Sequence, residues 1–400
     1  MADANLGDVD PAGSRQLGRR SAVCAVDDQV IVGLADGSLV GFDADLEEQW
    51  RVPGFEGSVV TLVPFADGVL AGERGADGEV RYYDDETGTL RWGRSTADEV
   101  GDPQRDTRFF LPFVVDAVVD GERAYVAARR YERGDGGSWT FESVVYAFDT
   151  SGEEVWRYRT DASPISLDAR DGRVAVAYNR CPGDHQDGLL VLDAETGDVR
   201  RRWDPPGDGQ RRVGDVSLVE SGMIVVSHAD YRGYALDSGG VRWSLDLGRP
   251  VERGDERVYA YPNHVHATDA GAVFVTGNTY PEDGRETDAR HPNEHTAVGV
   301  DSGGERRWTA DVGGFSHEIA ADGDTVAVPV AQHFRERDAG RHGVDSYGVG
   351  TGVEGTVDTT GVATAVALDS DRLAAVEEPV AYHDDGAVHG EYRLLVRRVN

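Results

Sequence analysis

The residues best suited to chemistry in this chain are its histidines. Nine of the eleven lie between His264 and the C-terminus. The sharpest group is His264, His266 and His317, with Asp215 upstream. In a strand His264 and His266 project to the same side, because side chains two apart share a face. Neutral imidazoles with a carboxylate are ordinary ligands of Zn²⁺ and of non-haem iron. An imidazole that titrates near neutrality can also serve as general acid or base. The group therefore reads as a Zn or Fe site built from His264, His266, His317 and Asp215, or as acid–base groups facing a ligand. The plainer alternative is that these histidines only hydrogen-bond between neighbouring strands. Cys181 and His185, four positions apart, offer a weaker ligand pair.

The elements that must position these groups are short strands. Alternating apolar runs of four to eight residues recur along the chain, the pattern of half-buried β-strands. Six such runs end in an Asp, turn through a Gly and reach a Trp a few residues later. The anchors are Asp43, Asp85, Asp149, Asp193, Asp237 and Asp301, at gaps of 42, 64, 44, 44 and 64 positions. A repeat of roughly 40–45 residues made of strands is the signature of a propeller blade. The sequence thus predicts an all-β chain forming one β-propeller. It has eight four-stranded blades, with seven as the alternative. Residues 1–20 form an arm that supplies the outer strand of the last blade, and residues 21–400 form the propeller. Ser14 to Gly18 is a poor strand, which keeps seven blades open. The Trp row reads as packing between blades, since an aromatic of this size fills the gap where sheets splay apart.

The segment Tyr146-Ala147-Phe148-Asp149 through Gly152 to Trp156 resembles the PQQ-like, quinoprotein-type repeat. That family includes quinoprotein alcohol dehydrogenases and a non-enzymatic propeller subunit of the outer-membrane assembly machinery. The resemblance implies the propeller fold over nearly the whole chain and leaves function open, because the motif is the structural part of the blade. The dehydrogenase relatives are typically exported, and many carry adjacent bridged cysteines beside the quinone. Here Cys24 and Cys181 are far apart, so PQQ is not expected.

Laid on this frame, the long insertions all connect second to third strands, or fourth strands to the next blade, and so share one face. Insertions on one face of a repeat protein are often the binding surface. The histidines map to that face. Aligning Asp269 with Asp322 places His264 and His317 at equal height on neighbouring inner strands. Trp139, Phe109 and Phe110 fall in these insertions as exposed candidate anchors for a partner, with packing onto the propeller as the alternative.

Composition narrows the partners. Acidic residues number 73 against 40 basic, a net charge of −33, and every basic residue is Arg. Such a surface repels nucleic acid and anionic membranes. It resembles the cytosolic proteins of salt-accumulating halophilic archaea, where a Debye length of about 3 Å at molar salt screens self-repulsion. No run is long enough for a membrane span. No signal peptide opens the chain, so a cytoplasmic location is expected. The function expected is a binding or scaffold propeller with a protein or small-molecule partner and no obligatory cofactor. A His-based or metal-dependent enzyme at the channel mouth is the alternative, and a quinoprotein dehydrogenase is disfavoured.

Overall fold

Two-residue turns set the frame of the structure, a computed structural model. It describes residues 1–13, 18–107, 109–134, 137–284, 286–331, 333, 335–369, 372–383 and 386–398. First strands return on second strands through pairs such as Phe65↔Gly68, Asp120↔Arg123, Val219↔Gly222 and Asp322↔Thr325. Each leaves two residues in the turn, the tightest antiparallel connection. The result is a chain of antiparallel four-stranded units. Their first strands are Ala22–Val26, Ser58–Phe65, Phe113–Asp120, Ser163–Arg170, Val213–Val219, Glu256–Thr268, Ala320–Asp322 and Val362–Asp369. The second and third units join through a single pair, Phe113↔Arg74. In the last sheet the outer place belongs to Ala2–Asn5, paired with Arg393–Arg398 in the register Ala2↔Val396. Residues 14–17, within the segment read as a poor strand, lie outside the described residues.

Buried apolar residues form slabs between neighbouring sheets. Tyr125, Val145 and Trp156 of the third unit pack on Leu167, Val174 and Leu190 of the fourth. The last unit shares a slab with the first, through Ala365, Ala374 and Leu394 against Val23, Val30 and Val40.

The Asp–Gly–Trp repeat latches one unit to the next. Asp149 Oδ1 accepts the backbone N–H groups of Ser151 and Glu153, and Asp301 does the same for Gly303 and Glu305. In the second unit Asp84 makes this turn, bonded to Thr87, so the register corrects the anchor from Asp85 by one residue. The Gly lies at positive φ and receives the indole of the preceding unit. A Cβ on Gly197 would stand 2.8 Å from Trp156 Cδ2, and one on Gly304 would stand 2.6 Å from Trp243 Cδ2. Indole N–H groups then donate to the same turns, Trp156 to Ala194 O at 2.9 Å and Trp308 to Val349 O at 3.0 Å. One residue type supplies the turn, another the space, and a third fills it.

Inner strands need a different tie, because neighbouring first strands stand side by side without a backbone ladder and edge N–H groups must find acceptors. Carboxylates supply them. Asp116 accepts from Leu167 N at 2.8 Å, Asp168 from Leu218 N at 2.5 Å, Asp215 from Val265 N at 2.8 Å and Glu318 from Val366 N at 3.1 Å. The chain's acid excess is thus partly structural.

Candidate functional site

First strands of the third to sixth units, with residues 315–321 of the seventh, line a cavity of about 730 Å³. Asp215, His264, His266 and His317 all line it. Hairpin register fixes their heights. Thr268↔Gly271 in the sixth unit matches Asp322↔Thr325 in the seventh and Val219↔Gly222 in the fifth. Counting back four residues puts Asp215, His264 and Glu318 at one level. The expected equivalence of His264 with His317 is therefore off by one: Glu318 occupies that level, and His317 packs edge-on against Phe315. Asp269 lies within its turn, whereas Asp322 ends its strand, so the two are not equivalent.

Three of the predicted ligands are already hydrogen-bonded. His264 Nε2–H donates to Ser316 O at 3.2 Å and His266 Nε2–H to Gly323 O at 2.9 Å, both in the next unit. His264 Nδ1 lies 3.9 Å from Asp215 Oδ2. Asp215 accepts from Val216 N, Val265 N and the Ser166 hydroxyl. Burial raises its carboxyl to about 7 and lowers the His264 imidazole to about 4. Burial likewise raises Asp116 and Asp168 to about 6. The four predicted ligands do not draw their donor atoms together within 4.8 Å. Among the described residues the cluster that does is Glu294, His295 and His333. In it His295 Nε2–H donates to Asn278 Oδ1 at 2.7 Å, and His333 Nδ1 accepts backbone N–H groups of Arg335 and Glu336. Cys181 is buried, and His185 Nε2 bonds Asp187 O, so that weaker pair is engaged locally.

Many histidines are not solvated loop residues. His228, His291, His295, His333 and His342 are buried, and His228 donates to Pro262 O at 3.1 Å across units. The insertions are also more regular than the composition suggests. Trp139 opens a strand, paired with Arg133 in an extension of the third unit's hairpin, and does not sit in an irregular loop. It is 36 % exposed, with Arg133 over its ring. Phe109 is 57 % exposed, whereas Phe110 is only 7 % exposed and faces Trp139 at 6.1 Å. Phe110 is therefore packing, and Phe109 with Trp139 remains as exposed aromatic surface. Residues 251–253 pair with the long sixth-unit strand, so the Asp246 to Pro262 insertion is also largely sheet.

Sequence reading passed over the arginines at the loop-rich end of the cavity. Arg74 and Arg129 lie on the second strands of successive units, opposite Ser58 and Phe113 where the first strands begin, and Arg180 pairs with Ser163 in the next. Arg211 forms an isolated bridge with Arg180. Arg19, Arg74 and Arg129 crowd the Phe113 ring at 5.9, 4.0 and 5.6 Å. Arg19, from the N-terminal arm, bonds Glu318 Oε2 at 3.1 Å and Val115 O at 2.6 Å. The signal in the sequence is an Arg on each of three consecutive second strands, in a chain where acid dominates elsewhere.

Comparison with known proteins follows the same line. Residues 140–275 match the family model described as outer membrane protein assembly factor BamB. No curated protein matches the chain. Among solved structures, BamB from Moraxella catarrhalis superposes at TM-score 0.58 with 16% identity, covering 98% of this chain and 99% of that one. A europium-containing methanol dehydrogenase gives 0.57 at 12% identity, covering 95% and 84%. Quinohemoprotein alcohol dehydrogenase from Comamonas testosteroni gives 0.56 at 10% identity, covering 97% and 74%. At such identities likeness speaks for fold alone. Among the described residues no helix is long and apolar enough to cross a membrane. The chain is an all-β protein of β-propeller fold, and its central third is similar to the BamB repeat family.

Proposed function

We propose that this protein is a non-enzymatic binding or scaffold propeller that presents its loop-rich, histidine-rich face to a protein or small-molecule partner. The observation that carries this reading is the asymmetry of the two faces. One is closed by two-residue turns. The other bears the extended hairpins, the exposed Phe109 and Trp139 and the arginine-lined end of the central cavity. Binding surfaces concentrate on variable loops held by a rigid frame. Likeness to BamB, an assembly factor by its description, favours a protein partner. In this reading eight blades form one ring, with Ala2–Asn5 as the closing outer strand, and the protein works in a salt-rich cytoplasm. A quinoprotein dehydrogenase is the disfavoured reading, since Cys24 and Cys181 stand in different units and form no adjacent pair.

Affinity capture in molar salt tests the proposal with variants on each face. Phe109→Ala with Trp139→Ala should lose a co-isolated partner, while Arg91→Gln on the short-turn face should keep it. Equal retention by both would sink the assignment of the face. A second reading, a metal-dependent or His-based enzyme, draws on His264 Nδ1 standing 3.9 Å from Asp215 Oδ2 where both line the cavity. Stoichiometric Zn or Fe in the purified protein, lost in His264→Ala and in His317→Ala, would favour it.

A further inference from the structure

We infer that the loop-side mouth of the central cavity is a binding site for a small molecule bearing carboxylate or phosphate groups, held by Arg129, Arg180 and Arg211. This deepens the binding reading above and rests on it. In a chain of net charge −33, three converging arginines with no acidic partner are unexpected. Arginines elsewhere pair readily: Arg91 with Asp67 and Asp84, Arg202 with Asp187, Arg290 with Glu336. Among the described residues no carboxylate comes within 4 Å of Arg129, Arg180 or Arg211, although the three converge. Arg180 and Arg211 are bridged through their backbones, and Arg129 stacks on Tyr131 at 4.8 Å while Arg211 stacks on Tyr261 at 5.3 Å.

Their neighbours feel the joint field. Burial pushes the Tyr131 phenol up, but Arg129, Arg180 and Arg211 outweigh it and bring the phenol below its ordinary value. Burial, then the charges of Arg211 and Arg129, pull the Arg180 guanidinium down. Burial, then Arg211, hold the His228 imidazole near 3, so it stays neutral beside them. Three half-buried cations without a counterion repel one another, and an oxyanion ligand relieves that repulsion. Guanidinium forks bind carboxylate and phosphate with two parallel hydrogen bonds. Two adjoining hollows, of about 730 and 360 Å³, share Arg211, His228 and Tyr261. They are the size of small-molecule pockets. Tyr261 and Tyr280, 5.5 Å apart and tilted by 56° to each other, give aromatic faces for the body of the ligand.

The deeper carboxylates do not fill this role from within. Asp116, Asp168 and Asp215 are bonded to backbone N–H groups of the neighbouring strand, and Glu318 is bonded to Arg19. The anion that completes the mouth therefore comes from outside the described chain.

Calorimetric titration of the whole protein in molar potassium chloride tests this, with inorganic phosphate in one arm and citrate in the other. The expected result is saturable binding of at least one probe, weakened about tenfold or more in Arg180→Gln and in Arg211→Gln, as for loss of a charge-assisted pair. Arg180→Lys should restore part of it, and Arg200→Gln, on an exposed outer strand, should leave it unchanged. Preference for phosphate or for citrate identifies which oxyanion the site takes. Circular dichroism confirms that each variant folds, and Arg129→Gln serves where one does not. Absence of saturable binding by either probe, or equal binding by wild type and the folded variants, overturns the inference. Loss of partner capture by the Phe109 and Trp139 variants is read separately, so failure here does not decide the face assignment.

Discussion

Replacing Gly197 with Ala should cost far more than replacing Gly172, although both glycines sit in nearly the same backbone conformation. Gly197 has φ +73° and Gly172 has φ +71°. Forcing an L-residue into that region costs about 1 kcal/mol. At Gly172 that is the whole expected effect, since a Cβ there meets nothing within 4 Å. At Gly197 the new Cβ would lie 2.8 to 3.0 Å from three atoms of the Trp156 ring, so the indole must move. Displacement breaks its 2.9 Å bond to Ala194 O, worth about 1 kcal/mol. It also uncovers part of a ring that buries on the order of 150–250 Å², adding roughly 1–2 kcal/mol. The sum is about 3–4 kcal/mol for Gly197→Ala against about 1 for Gly172→Ala. Denaturant unfolding in molar salt, followed by tryptophan fluorescence, measures the difference. Two variants that agree within about 0.5 kcal/mol would refute the claim that the turn glycine is a socket for the neighbouring unit's tryptophan.

Three further outcomes are expected. The Asp215 carboxyl is raised from 3.8 to about 7 by burial, so its contribution to stability is full below pH 4 and is lost as pH rises toward 7. Buried His264 and His228 act in the opposite direction, so wild type alone cannot show this. The stability of Asp215→Asn relative to wild type should rise by up to about 4 kcal/mol between pH 4 and 7 and then level off. A pH-independent difference would contradict it. Dialysis from molar to millimolar salt should unfold the chain, because a net charge of −33 then repels itself unscreened. An unchanged circular dichroism spectrum would be the contrary result. Removing residues 1–13 strips Ala2–Asn5 from Arg393–Arg398 and Leu6 from the slab shared by the first and last units. The truncated protein should melt several degrees lower and self-associate through the bared strand edge. Unaltered melting and a monomeric profile would count against that strand's role.

Strand order and turns were legible because they rest on local chemistry. Asp149 bonding its own turn, Gly152 at positive φ and Trp156 on the adjacent strand are all readable within one repeat. One slip among the anchors, Asp85 for Asp84, comes from two adjacent aspartates that only strand register separates. The site was less legible because it depends on relations between repeats. That His264 shares its level with Asp215 and Glu318 follows from hairpin register, not from spacing to the next Asp. That Phe110 turns inward while Phe109 does not depends on the Trp139 hairpin folding over it. Arg129, Arg180 and Arg211 look like surface charges in sequence, and only the pairing of Arg129 with Phe113, of Arg180 with Ser163 and of Arg211 with Arg180 makes them a group.

The central claim is that binding takes place on the loop-rich face, at and around the mouth of the cavity. An experimental structure of the protein isolated in molar salt with whatever it carries tests this most directly. Non-protein density beside Arg129, Arg180 and Arg211, or a partner seated on Phe109 and Trp139, is the predicted result. A ligand or partner held on the face of two-residue turns, with the arginine mouth bare, would contradict it.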